Sequence, residues 1–299
     1  MGYQLGEVLK KVRQSKRYTQ KYVADEEMSR ATYAKIEACS MQPTVGKFMH
    51  ILKKLDITYD ELTYIQHSYR LSGKEEIIHD LFQLSFSTEI NKLHSLNFKC
   101  ESYLKDNYDN VVQDISYVCK ANISIHNSKN FESALPYAKK VWERLSKLDN
   151  WYSIELKLIN NIFYFFPLDT AIFIAKKALE NINRFSYIIR NIELKSSYLL
   201  NISILLIKDH KYQEALDYAE KTIDECIRIK RYEGLAVAYS RKGMSLINLE
   251  NKDKGFSFIR KALSICDVLN LDVMRKAIIQ EIAELTSLDI DHFIAGDTD

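Results

Sequence analysis

The stretch TQKYVADEEMSRATYAKIE, residues 19–37, decides how the N-terminal part of this chain reads. Tyr22, Val23 and Ala24 supply the apolar positions of a first short helix, with Thr19 as its N-cap and Gln20 in its first turn. Asp25 to Met28 make a turn, Ser29 caps a second helix, and Tyr33 and Ile36, three residues apart, share its inner face. Arg30, Ala31, Thr32 and Lys35 are left on the outer face. Two short helices so arranged form a helix-turn-helix, whose second helix enters the major groove of DNA while the first crosses the phosphates. Arg30, Thr32 and Lys35 are therefore the expected base readers. Gln20, Lys21, Lys16 and Arg17 are the expected phosphate contacts, which position a protein without reading sequence. The alternative is a merely solvated polar face.

The flanks complete a small bundle. Leu5, Val8, Leu9 and Val12 make one helical stripe with Lys10, Lys11 and Arg13 outside it. After Pro43, the segment 44–54 repeats the pattern with Phe48, Ile51, Leu52 and the following Leu55, and 59–65 adds a fifth helix. Residues 1–66 hold 11 Lys and Arg against 8 Asp and Glu, whereas the remainder holds 31 against 32, so the small positive excess belongs to the part that would meet DNA. The polar stretch 67–74, with Ser72-Gly73, is the expected linker, and 75–299 the second domain.

That second part repeats. YQEALDYAEKTIDECIRI (212–229) and KDKGFSFIRKALSICDVL (252–269) superpose at an offset of 40, and FESALPYAKKVWERL (131–145) and LDTAIFIAKKALENI (168–182) fit the same frame. Ala134, Ala171, Ala215 and Gly255 stand where two helices would touch. Helix pairs at this period predict a right-handed α-solenoid similar to tetratricopeptide repeats, whose usual period is about 34. The expected fold is all-α: a five-helix helix-turn-helix domain followed by the solenoid. Eight glycines and three prolines in 299 residues agree with it.

The first helix of each pair lines a solenoid's concave surface. Lys120, Asn161, Asn201 and Arg241 fall at equivalent points of successive first helices, once the loop at Pro167 is taken as about four residues shorter. Asparagine offers a donor and an acceptor to a peptide amide, and the two basic residues suit a carboxylate. Tyr164, Phe165 and Leu200 could form pockets beside them, and Lys157, Arg190 and Tyr198 are further candidates. Equally open, from residues alone, is that the asparagines satisfy neighbouring backbone and the cations are solvated. Val273, Ala277, Ile278, Ile282 and Leu285 are too many apolar residues for a free surface helix and are expected to cap the stack or meet a second subunit.

Composition excludes several classes. No apolar run reaches the roughly 18 residues of a membrane span, and no leader pattern opens the chain, so a cytoplasmic protein with no membrane partner is expected. Five cysteines without a C-x-x-C spacing argue against a disulfide framework or zinc site. Cys226 and Cys266 read as packing residues, while Cys39 follows the recognition helix as a candidate exposed thiol. Nucleotide-binding, zincin and nucleophile-elbow motifs are absent, and the seven histidines are scattered. No catalytic residue, metal or cofactor is expected.

The run from LGEVLKKVRQSKRYTQ through VADEEMSRATYAKIEACSMQPTVGKFMHILKKLDITYDEL resembles the Cro/repressor-type helix-turn-helix that opens the Rgg/MutR family of transcription regulators, related to the PlcR and PrgX groups. Two departures stand out: the turn between Ala24 and Ser29 is one residue shorter than the generic repressor pattern, and Ala38-Cys39 replaces the usual Arg-Gly. IELKLINNIFYFF (154–166) and LLN (199–201) also look like that family's own. The resemblance implies a homodimer through the C-terminal region on promoter DNA. It implies a short hydrophobic signalling peptide in the solenoid groove, as in quorum sensing, with RNA polymerase as a further candidate partner. A solenoid that recruits a protein partner to DNA is the alternative.

Overall fold

In the computed structural model, residues 3–71, 73–84, 90–128, 130–185 and 192–286 are described. They are helical throughout, with no strand among them, and form two compact units, Met1–Asp80 and Leu81–Asp299.

The first unit holds α1 (Leu5–Ser15), α2 (Gln20–Ala24), α3 (Arg30–Glu37), α4 (Val45–Leu55) and α5 (Tyr59–Gln66). Hydroxyls start four of the five: Thr19, Ser29, Thr44 and Thr58 each accept a hydrogen bond from the backbone N–H three residues on. Thr58 is answered by Glu61, whose carboxylate accepts from the Thr58 N–H at 2.7 Å and closes a capping box. Val8, Leu9, Val12, Val23, Ala24, Met28, Tyr33, Ile36, Ile51, Leu52, Leu55 and Leu62 make the core. Each large apolar side chain there is worth about 1.5–3 kcal/mol relative to exposure. Tyr22 stays half exposed, its ring against Tyr18 at 4.7 Å, because Val23 and Ala24 already fill the inner face of so short a helix.

The stretch expected as a linker begins as a helix stop. Ser68 and Tyr69 take left-handed backbone, and the Tyr69 N–H returns to the Tyr64 carbonyl at 2.8 Å. Helix α6 (Gly73–Gln83) follows, and the division between the units falls inside it.

The second unit continues with α7 (Ile90–Leu104), α8 (Asn110–Ser128), α9 (Leu135–Leu145), α10 (Ser153–Asn160), α11 (Leu168–Arg184), α12 (Ile192–Lys208), α13 (Tyr212–Ile229), α14 (Tyr232–Asn248), α15 (Lys252–Val268) and α16 (Asp272–Thr286). From α11 onward each helix packs on the next, and α12, α14 and α16 also pack on the next but one, the arrangement of a stacked-hairpin repeat. The stops keep the same period. His210, Lys230, Glu250 and Asn270 are left-handed, and after each the next N–H bonds back five residues, as Arg231 does to Cys226 at 2.9 Å. Ala134, Ala171, Ala215 and Gly255 are buried as the spacing predicts. At Gly255 the approach of α14 and α15 is so close that a Cβ would lie 2.5 Å from Ile247 Cγ1 and 2.9 Å from the Gly243 carbonyl. Cys226 and Cys266 are buried, as are Cys100 and Cys119. No helix among the described residues is long and apolar enough to cross a membrane.

Candidate functional site

In the first unit, one carboxylate fixes the mutual placement of α1, α2 and α3. Glu37, at the end of α3 and 4% exposed, accepts from Arg13 Nε at 2.6 Å, Arg13 Nη2 at 3.0 Å and Gln20 Nε2 at 2.9 Å. Arg13 belongs to α1 and Gln20 to α2, so a single side chain locks three helices together. The third arm of Arg13, Nη1, bonds the Tyr18 carbonyl at 2.8 Å. Burial pulls the Glu37 carboxyl upward in pKa, but the hydrogen bonds from Arg13 and Gln20 and the Arg13 charge outweigh it and hold the group below the usual carboxylate range.

On the outer face of α3, Arg30, Ala31 and Lys35 are exposed, and neither Arg30 nor Lys35 has a partner among the described residues. Thr32 is half-buried and shares a 2.9 Å hydroxyl contact with Ser29. Lys21 and Arg17 are exposed, Arg17 as the left-handed residue that follows α1. The structure uses the other two expected phosphate contacts internally: Gln20 serves Glu37, and Lys16 Nζ donates to the Asp56 carbonyl at 3.0 Å. Both therefore stand as scaffold first. Cys39 is half-buried and left-handed, and α3 stops there without a glycine, the Ser40 N–H returning to the Lys35 carbonyl at 3.0 Å.

In the second unit, most of the polar residues expected to line the groove already have partners. Lys120 Nζ lies 3.0 Å from Glu101. Asn161, just past the short α10, donates its amide to the Lys157 carbonyl at 2.7 Å, and its own carbonyl receives Asn122 Nδ2 at 3.5 Å. Asn201 reaches the carbonyl and the Oδ1 of Asn160, both at 3.5 Å. Tyr164 Oη bonds Asn122 Oδ1 at 2.8 Å. Phe165 and Leu200 are core residues rather than pocket walls.

Three further expected ligand residues are buried and engaged within the chain. Tyr198 is fully buried, stacks on Phe163 at 5.3 Å and donates to the Leu156 carbonyl at 2.7 Å. Lys157 is buried, with Nζ on the Leu84 carbonyl at 3.0 Å and 5.8 Å from the centre of the Phe82 ring. Burial, and then the nearby Arg231 charge, bring its pKa down to about 8. Arg241 is buried against Glu281 of α16. Arg190 lies outside the described residues.

Sequence reasoning missed Asn122, Asn160 and Glu281. A signal existed for Glu281, since it stands one 40-residue step beyond Arg241.

A capped helix-turn-helix joined to a helical-repeat unit is the architecture of a transcription regulator. Residues 98–278 match the model of the C-terminal domain of the HTH-type transcriptional regulator Rgg, and the chain belongs to that family. Its fold is shared with solved structures of low sequence identity. A protein of Listeria monocytogenes EGD-e described as a transcriptional regulator superposes with a TM-score of 0.77 at 19% identity, over 97% of this chain and 100% of that one. Bacillus thuringiensis PlcR in complex with the peptide PapR7 and DNA gives 0.68 at 18%, over 92% and 98%. The Streptococcus dysgalactiae SHP pheromone receptor Rgg2 gives 0.64 at 18%, over 94% and 99%.

Proposed function

We propose that this regulator binds promoter DNA as a homodimer through Arg30, Thr32 and Lys35, and is switched by a short hydrophobic signalling peptide in the groove lined by α8, α10, α12 and α14. The observation that carries the reading is the pair Asn161 and Asn201. Both are half-buried, Asn161 just past α10 and Asn201 on α12. Neither Oδ1 receives a hydrogen bond among the described residues, and the Asn201 amide is held only by contacts at the 3.5 Å limit. Such side chains can exchange their internal bonds, weak ones at Asn201, for the two-sided hydrogen bonding of a peptide amide. The peptide and DNA in the PlcR structure, and the receptor role in the Rgg2 description, support it.

To act as a switch, the peptide binds two conformations unequally. It then reorients the paired DNA-binding heads or alters their engagement with RNA polymerase. A second reading, a solenoid that recruits a protein partner to DNA, draws on the internal use of Lys120, Lys157 and Tyr198. Fluorescence polarisation of the DNA flanking the protein's own gene separates the two, at fixed salt because phosphate contacts dominate affinity. Short hydrophobic peptides encoded nearby are added. Under the peptide reading one of them alters the complex, and Asn161→Ala with Asn201→Ala removes the response while DNA binding survives. DNA binding that no peptide changes overturns it in favour of the protein partner.

A further inference from the structure

The ladder of Lys120, Asn161, Asn201 and Arg241 has a fifth member. One more repeat step reaches Glu281 on α16, and its partner is the preceding rung, for Glu281 and Arg241 form an ion pair. Arg241 is 8% exposed, yet its Nε has no hydrogen-bond acceptor among the described residues. A guanidinium presents five N–H donors in a fixed fork matched to a carboxylate. Arg13 in the first unit uses all three of its nitrogens. Arg241 is equally hidden and is left incompletely satisfied by the chain's own acid.

The helix that supplies this acid is lightly held. Only Ile278 and Ile282 of α16 are buried, and Val273 at its start is 73% exposed, whereas eleven residues of α14 are buried. Besides the ion pair, Arg275 on Asp267 at 2.7 Å and Asn248 Nδ2 on the Leu285 carbonyl at 3.2 Å tie α16 down. Lifting α16 therefore exposes little apolar surface.

We infer that Arg241 is a carboxylate-binding subsite at the α16 end of the groove, occupied here by Glu281 as an internal surrogate, so that α16 is a latch released by an acidic group of the ligand. The inference rests on the peptide reading of the groove and adds its regulation. Exchanging one carboxylate for another keeps the buried cation neutralised, while pulling Glu281 away alone leaves a buried charge uncompensated. A ligand without an acid cannot open the latch on these terms. The acid is a side chain or a free C-terminus.

Affinity selection on the full chain tests this with three pools of random short peptides. The first has a free C-terminus and no acidic side chain, the second an amidated C-terminus and one acidic side chain, and the third is amidated with no acid. The wild-type protein should retain the first or second pool above the third, which also identifies the source of the carboxylate. Glu281→Gln, which removes the competing acid, should raise that retention about tenfold, by freeing the binding-competent form. Arg241→Met should abolish the preference. If Arg241→Met does not fold, Glu281→Gln still decides. Equal retention of all three pools, unchanged in Glu281→Gln, overturns the subsite and leaves the peptide reading standing. Retention of no pool by either protein overturns the peptide reading and the subsite with it.

Discussion

On α3, Arg30 and Lys35 extend into solvent with no partner among the described residues, whereas in the repeat unit Lys120, Lys157 and Arg241 each hold a group of their own chain. Under the proposed function, the contrast follows from what each face would meet. DNA is a polyanion that binds an open, solvated surface through released counterions, so its contacts need no burial beforehand. A groove within a stack withdraws polar groups from water, and any left unsatisfied there costs their desolvation. Its side chains must be satisfied internally, and under the proposed function they exchange those bonds when the peptide enters. The rigid carboxylate hub under α3 and the weak 3.5 Å contacts of Asn201 are the two extremes of this difference.

Removing the hub should break the contrast most severely. Glu37→Ala leaves Arg13 buried without its counter-charge, and losses of this kind run to about 3–5 kcal/mol. Hydrogen exchange on the full chain should show α1 and α3 opening while α12 to α15 keep their protection. Acid should act in the same direction. The Glu37 pKa is lower in the fold than in the unfolded chain, so its stabilisation is complete above the ordinary carboxylate value and lost as pH falls through the lowered one. The mirror experiment is Gly255→Ala. The added Cβ meets Ile247 and the Gly243 carbonyl, an overpacking worth about 1–3 kcal/mol, and faster exchange should appear in α14 and α15 with α1 to α3 unchanged.

The open face is tested by binding. Arg30→Ala or Lys35→Ala should leave thermal stability unchanged and cost about 1–3 kcal/mol of operator affinity, with discrimination relaxed at one base pair. Lys16→Ala separates scaffold from contact. If its bond to the Asp56 carbonyl is its main role, the variant loses stability while the salt dependence of DNA binding keeps its slope.

The features legible in sequence were those written in neighbouring residues. Thr19 and Ser29 cap helices from three residues away, Tyr33 and Ile36 share one face, and the small residues of the repeats return on schedule. What escaped was either long-range or chemically unmarked. Arg13 reaches Glu37 across 24 positions and Lys157 reaches Leu84 across 73, and no spacing announces either. Helix stops at His210, Lys230, Glu250 and Asn270 place non-glycine residues in left-handed backbone, so composition gave no sign of them. The full burial of Tyr198 also escaped, because α12 carries apolar residues on several faces and its pattern marks no single inner side.

The smallest expected effect concerns the internally held cation of the repeat unit. Lys157 titrates at about 8 in the fold, against an ordinary lysine value of 10.5, because burial and Arg231 disfavour its charge. Below the folded value both states carry the proton and the penalty is constant. Between the two values the unfolded chain binds more protons than the fold, so stability rises with pH. From about pH 7 to pH 9 the gain should be roughly 1 kcal/mol, read as a higher urea midpoint for protection of the repeat helices. Lys157→Met removes the titrating group and should flatten that rise. A rise that survives in Lys157→Met would place the titration elsewhere in the repeats. Lys157 would then be a satisfied ammonium like Lys120, and the contrast between the two units would rest on contact geometry alone.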